Sequence, residues 1–145
     1  MTNDVHSYAR PEIARVTHVS LDLRLDFAAR VVAGSAVLSV DRSAGAADVV
    51  LDDRGLVVEG VVDDDGNALA FVVGPANPVR GSSLTITLPK NAASKVHVRY
   101  RTRPDAEALQ WLPKELTASK QQPFFFTQGQ AILTRTWIPL QDSPG

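Results

Sequence analysis

Hydrophobic and polar residues alternate with a period of two through much of the first hundred positions. Val19, Leu21, Leu23, Leu25 and Phe27 share one parity, and His18, Ser20, Asp22, Arg24 and Asp26 share the other. Successive side chains of an extended strand point to opposite faces, so the pattern predicts a strand with one buried face. Residues 31–40 form a second such run, broken by Gly34, which in a strand marks a bulge or a close approach of backbone. The short link at 26–30 predicts a hairpin between the two. Short strands are expected at 48–51 and 56–62. The D-D-D-G-N turn at 63–67 predicts that residues 69–73 return as the hairpin partner of the latter. Leu84, Ile86 and Leu88, then Val96, Val98 and Tyr100, alternate with polar neighbours and predict two more strands. This makes about seven strands at the spacing of an all-β sandwich or curved sheet of mainly antiparallel strands.

The pattern changes after Pro104. Ala106, Leu109, Leu112 and Leu116 fit one helical face, but Pro113 interrupts it. The expectation is a long C-terminal loop with at most one short helical turn, starting at Pro113, where proline suits a first helical position. No earlier segment has a 3.6-residue period.

Composition narrows the picture. A chain of 145 residues with 44% hydrophobic positions fits a single domain spanning 1–145 with a real core. A net charge of −1 lacks the basic face that nucleic acid or an anionic membrane needs, so neither is expected as a partner. The absence of cysteine removes disulfides and thiolate metal sites and favours an intracellular, cytoplasmic location. The first residues have no apolar signal region, and the longest apolar run, 68–73, is too short to span a bilayer.

Catalytic chemistry is not evident. His6, His18 and His97 show no paired ligand spacing and read as solvent-facing, and no H-E-x-x-H is present. The three aspartates at 63–65 lack the spacing and the glutamate of a calcium loop and read as a turn. No catalytic residue and no metal ligand is therefore expected in this chain. Gln128, Gln130 and Gln141 stand apart. Gln128 and Gln130 are two positions apart, so on a strand their amides share a side. Two readings remain open: a polar strand edge, or a strand presenting amides that hold a ligand's backbone.

A resemblance bears on that choice. R-P-E at 10–12 followed by H-V-S-L-D-L-R-L-D-F, A-L-Q-W-L at 108–112, and F-T-Q-G-Q-A-I…R…P-L-Q-D-S-P from Phe126 onward resemble the N-terminal domain of gluzincin-type zinc aminopeptidases, in particular the leukotriene hydrolase/aminopeptidase branch. The resemblance implies a curved, saddle-like β-domain that is non-catalytic. It also implies that this chain is the first part of that domain, and that a zinc catalytic domain, absent here, follows. Zinc would belong to that parent enzyme, and the partner of the site would be the N-terminus of a peptide substrate. By the same resemblance Gln128 lines the pocket for the substrate's first side chain, and Gln130 helps hold its N-terminal end. Ala131 turns its backbone to the substrate, and Arg135 and Asp142 are structural. Trp137 departs from the pattern, which carries a smaller residue there. The competing reading is a stand-alone β-sandwich binding module with a self-contained site. Apolar residues after Ala108, among them Trp111, Phe124, Phe125 and Phe126, predict that the chain alone either self-associates through its C-terminal region or leaves that region mobile.

Overall fold

The computed structural model describes residues 4–89 and 95–143. Among them the strands are β1 (Ala14–Asp26), β2 (Val31–Arg42), β3 (Asp48–Asp53), β4 (Val57–Val62), β5 (Phe71–Val73), β6 (Ser82–Thr87), β7 (Lys95–Arg101), β8 (Leu109–Leu112) and β9 (Phe124–Thr127). They form one sheet ordered β1-β2-β7-β4, a second ordered β3-β6-β5, and a separate β8-β9 hairpin, all antiparallel. The first two sheets face each other across the core. Leu38 of β2 and Val96, Val98 and Tyr100 of β7 meet Val49 and Leu51 of β3 and Leu84 and Ile86 of β6, each 0% exposed. Each such aliphatic side chain contributes about 1.5–3 kcal/mol by leaving water. The expected all-β sandwich is what the chain adopts. No helix among the described residues is long and apolar enough to cross a membrane.

The β1–β2 hairpin forms as the alternation predicts, but the face of β1 taken as buried is only partly so. Leu21 and Leu25 are 38% exposed and Phe27 41%. The reason is position: among the described residues β1 is an edge strand, paired with β2 alone. A bulge between Val16 and His18 inserts Thr17 and re-phases the strand. Ala14 and Val16 therefore point inward before it, and Val19 and Leu23 after it. Gly34 is a close approach, not a bulge. It pairs with Leu23 at φ +154°, and a Cβ there would lie 2.0 Å from the Asp22 carbonyl oxygen.

Two expectations are corrected. Residues 69–73 do not return along β4. The turn makes one bridge, Val62 to Ala68, backed by the Leu69 N–H bond to the Val61 carbonyl. The chain then leaves for the opposite sheet, where Phe71–Val73 pairs with β6 and Leu69 and Phe71 pack on the core. The segment 104–123 has the one short helical turn expected of it, but it also holds a strand that the expected loop does not include. Leu109–Leu112 is a strand, because it pairs with Phe124–Thr127 and because Trp111 lies between Phe27, at 5.3 Å between ring centroids, and Phe125, at 4.5 Å. The helical turn is a 3-10 turn at Lys114–Leu116, with Pro113 extended as its cap and not its first residue.

Tyr100 tests how the core is satisfied. Its hydroxyl is buried with no hydrogen-bond partner among the described residues, and burial pushes its pKa up. An unmet polar group in a core destabilises it, and removing the hydroxyl alone leaves the ring's packing intact. Tyr100→Phe is therefore expected to keep or raise stability, by up to about 1 kcal/mol. Urea denaturation measures this, and a loss of that size would mean the hydroxyl is bonded.

Candidate functional site

The sequence places Gln128 and Gln130 on one strand face, and the structure does not. Strand β9 ends at Thr127, and Gln128, Gln130 and Ala131 lie exposed in the turn that follows. Pairing stops because the chain must fold back against a 3-10 turn at Thr134–Thr136. Gly129 permits this: a Cβ there would sit 2.2 Å from the Thr134 hydroxyl oxygen, and the Gly129 carbonyl accepts from the Leu133 N–H at 2.9 Å.

The turn is held from both ends. The Gln128 N–H donates to the Ala108 carbonyl at 2.8 Å, and Ala108 is fully buried. The Ala108 N–H donates to the Thr136 hydroxyl at 3.2 Å, which in turn donates to the Leu133 carbonyl at 2.7 Å. The side-chain oxygen of Gln128 accepts the backbone N–H of Gln130 at 3.0 Å. That oxygen is thus engaged within the turn, which leaves the Gln128 amide NH2 group and the exposed Gln130 amide facing outward. Ala131 lines a cleft of about 500 Å³ whose other walls include Asp4, His6, Leu140 and Ser143.

Just after the turn in the chain, Arg135 centres a buried polar cluster. Arg135 is 0% exposed. Its Nε donates to the Asp142 carboxylate at 3.1 Å and its Nη2 to the Asp142 carbonyl at 2.9 Å. Its Nη1 donates to the carbonyls of His6 and Arg80 at 2.9 and 2.8 Å. Asp52, also 0% exposed, lies 3.6 Å from Arg135 Nη1. Its carboxylate accepts the Ser7 hydroxyl and the backbone N–H groups of Tyr8, at 2.7 Å, and Asp142, at 3.0 Å. Gln141 is structural as well: its oxygen accepts the Val16 N–H at 2.9 Å and its nitrogen donates to the Ala14 carbonyl at 2.8 Å. Arg135 and Asp142 thus take the structural part expected of them. Asp52, Thr136, Gly129 and Ala108 carry no local sequence signal of their parts, because their partners lie 28 to 90 positions away or depend on one turn. Pro144, the end of the C-terminal motif, lies outside the described residues.

No protein-family model matches the chain. It is 36% identical to leukotriene A-4 hydrolase of Xenopus laevis and 35% identical to leucine aminopeptidase 2 of Yarrowia lipolytica, each over 97% of this chain. Its homologues are leukotriene A-4 hydrolase and leucine aminopeptidase 2. The chain spans 24% and 22% of the length of those two relatives, matching the N-terminal part of these M1 zinc aminopeptidases. The fold agrees. The structure of yeast LTA4 hydrolase in complex with bestatin superposes with a TM-score of 0.87 at 25% identity, over 99% of this chain and 23% of that one. An M1 zinc metallopeptidase from Deinococcus radiodurans, bound to a Tyr-Ser-Ala substrate, shares the fold with a TM-score of 0.62 at 17% identity, over 90% of this chain and 30% of that one. Among the described residues no group of three or more His, Cys, Asp or Glu side chains is placed to hold a metal ion.

Two predictions follow from the buried carboxylates and their cation. Arg135→Met leaves Asp142 and Asp52 short of their shared positive partner, and is expected to cost about 3–5 kcal/mol in chemical denaturation. Asp53 is 1% exposed and its carboxylate accepts the Leu56 N–H at 2.9 Å, and burial pushes its pKa up from 3.8 to about 6. The folded state therefore binds the proton more tightly than the unfolded chain. This contribution is fully favourable below about pH 4 and is lost as pH rises toward 6. Asp53→Asn keeps an acceptor for Leu56, so it should flatten that slope and raise stability at pH 7 by up to about 3 kcal/mol. Denaturation midpoints at pH 4, 5, 6 and 7 read both effects.

Proposed function

We propose that this chain is the non-catalytic N-terminal β-domain of a zinc metallo-aminopeptidase, and that its Q-G-Q-A turn lines the pocket for the substrate's N-terminal residue. The observation that carries the reading is the turn itself. Gln128, Gln130 and Ala131 are exposed, yet the Gln128 N–H is tied to the buried Ala108 and the Gln130 N–H to the Gln128 side chain. A rigid base under exposed polar groups is what positioning a substrate demands. The homology to leukotriene A-4 hydrolase and leucine aminopeptidase 2 across nearly the whole chain supports the same reading.

In this role the Gln130 carbonyl oxygen accepts from the substrate's terminal amine, and the Gln128 amide NH2 donates toward its first residue. A neutral acceptor binds an ammonium about half as strongly as a carboxylate would. A carboxylate outside this chain must then supply the rest. Ala131, on the cleft beside Asp4 and His6, offers backbone to the peptide. Zinc and the activated water belong to a catalytic domain outside these residues, and a cysteine-free domain of this kind is assigned to the cytoplasm. The exposed Phe124 and Phe126, 55% and 43% accessible, are the surface we assign to contact with that domain.

The test is kinetic and uses the longer enzyme. Gln130→Ala should lower kcat/KM on dipeptide substrates by about 2- to 12-fold, the worth of one hydrogen bond, while leaving thermal stability unchanged. Gln130→Glu should retain or improve turnover, since it keeps the acceptor and adds charge. Unchanged kcat/KM for Gln130→Ala across several dipeptides overturns the assignment.

A further inference from the structure

A closed ring of hydrogen bonds runs through the exposed Q-G-Q-A turn, and one side chain completes it. The Gln128 N–H donates to the Ala108 carbonyl at 2.8 Å. The Ala108 N–H donates to the Thr136 hydroxyl oxygen at 3.2 Å. That hydroxyl donates to the Leu133 carbonyl at 2.7 Å. The Leu133 N–H donates to the Gly129 carbonyl at 2.9 Å, and Gly129 follows Gln128 in the chain. The Gln128–Gly129 unit is thus gripped at its leading N–H and at its trailing carbonyl. Every group in the ring except the Thr136 hydroxyl is backbone. The hydroxyl spends its proton toward Leu133 and a lone pair toward Ala108, which only a side chain that both donates and accepts can do.

The ring closes inside the protein. Ala108 is 0% exposed and Thr136 3%, so bulk water does not stand in for the hydroxyl. Without it the Leu133 carbonyl keeps the Thr136 N–H, at 2.9 Å, but the Ala108 N–H loses the acceptor that the ring gives it. The end of the β8-β9 hairpin and the Thr134–Thr136 turn would then each keep half of the ring, and the Gln128–Gly129 unit between them would lose its common anchor. Gln130 depends on the same anchor, because its N–H donates to the Gln128 side-chain oxygen at 3.0 Å. We infer that Thr136 is a positioning residue: its hydroxyl fixes the direction in which the Gln128 and Gln130 amides face. The inference rests on the reading that this turn meets the substrate's N-terminal residue. Orientation matters there because an amide offers its acceptor and its donors at opposite corners, so a turned amide presents the wrong group to an amine.

The test joins amide exchange to kinetics. In the 145-residue chain, Thr136→Val keeps the side chain's shape without the hydroxyl. It should speed hydrogen exchange at the Gln128 and Leu133 amides and leave those of Val96 and Val98 in the core unchanged. Thr136→Ser keeps the hydroxyl and should leave both sets as they are. In the longer enzyme, Thr136→Val should lower kcat/KM on dipeptide substrates by about 2- to 12-fold, and Thr136→Ser should retain it. Thr136→Cys, whose thiol donates and accepts weakly, should fall between the two and serves if the valine variant does not fold. The deciding measurement is a double-mutant cycle. Once Gln128→Ala and Gln130→Ala are both present, adding Thr136→Val should cost little more, since the groups it orients are gone. A hydroxyl that only supports the fold would cost the same factor on either background. Unchanged exchange at Gln128, or full additivity in the cycle, overturns the inference while the glutamine substitutions still lower kcat/KM. If the glutamine substitutions themselves leave kcat/KM unchanged, the pocket reading falls and this inference falls with it.

Discussion

The structure depends most on one buried cation. The Arg135 guanidinium reaches Asp142 beside it, His6 in the N-terminal lead-in, Arg80 before β6, and Asp52 at the end of β3. Four segments far apart in the chain therefore meet at a side chain with no exposure to water. Burying that charge is costly, and the cost is offset because four of its N–H groups find carbonyl or carboxylate oxygens and two carboxylates balance the charge. Such a cluster adds less net stability than a hydrophobic core of the same size. What it adds is geometry, because a guanidinium fork tolerates few arrangements of its acceptors.

That geometry connects to the exposed turn. Arg135 sits within the 3-10 turn Thr134–Thr136, Thr136 bonds Ala108, and Ala108 bonds Gln128. A disturbance at the cation would thus travel through two hydrogen bonds, of 3.2 and 2.8 Å, to Gln128. The Asp52 carboxylate extends the same logic to the chain's first residues. Ser7 and Tyr8 dock on it, and Arg80 covers the Tyr8 ring at 4.5 Å. The lead-in is therefore part of the frame, and it forms a wall of the cleft that Ala131 lines.

The sandwich and the polar cluster divide the work. The two facing sheets supply the apolar burial that keeps the chain folded, while the β8-β9 hairpin lies outside them and is attached through Trp111 to Phe27 and through Ala108 to Thr136. The end of β1 toward Gln141 is closed by a side chain acting as a backbone partner.

How much was legible in the sequence follows from which forces are local. Alternation at 19–27, 31–40, 84–88 and 96–100 identified strands correctly, because a strand buried on one face must repeat every two residues. The C-terminal motif pointed to the homologous enzymes and to Arg135 and Asp142 as structural, since residue identity and spacing carry that much. The chain alone left three things undetermined. It could not show that Phe71–Val73 joins the opposite sheet, because sheet membership is decided by partners such as Ile86 and not by the strand's own pattern. It could not show that 109–112 is a strand, because its pattern also fits a helical face and only contact with Phe27 and Phe125 selects extension. It could not show that Gln128 and Gln130 leave the strand, because that turn is set by Gly129 against Thr134 and by the anchorage of Ala108. Local periodicity fixes the elements, and contacts between residues far apart in sequence fix which faces meet and what the exposed amides rest upon.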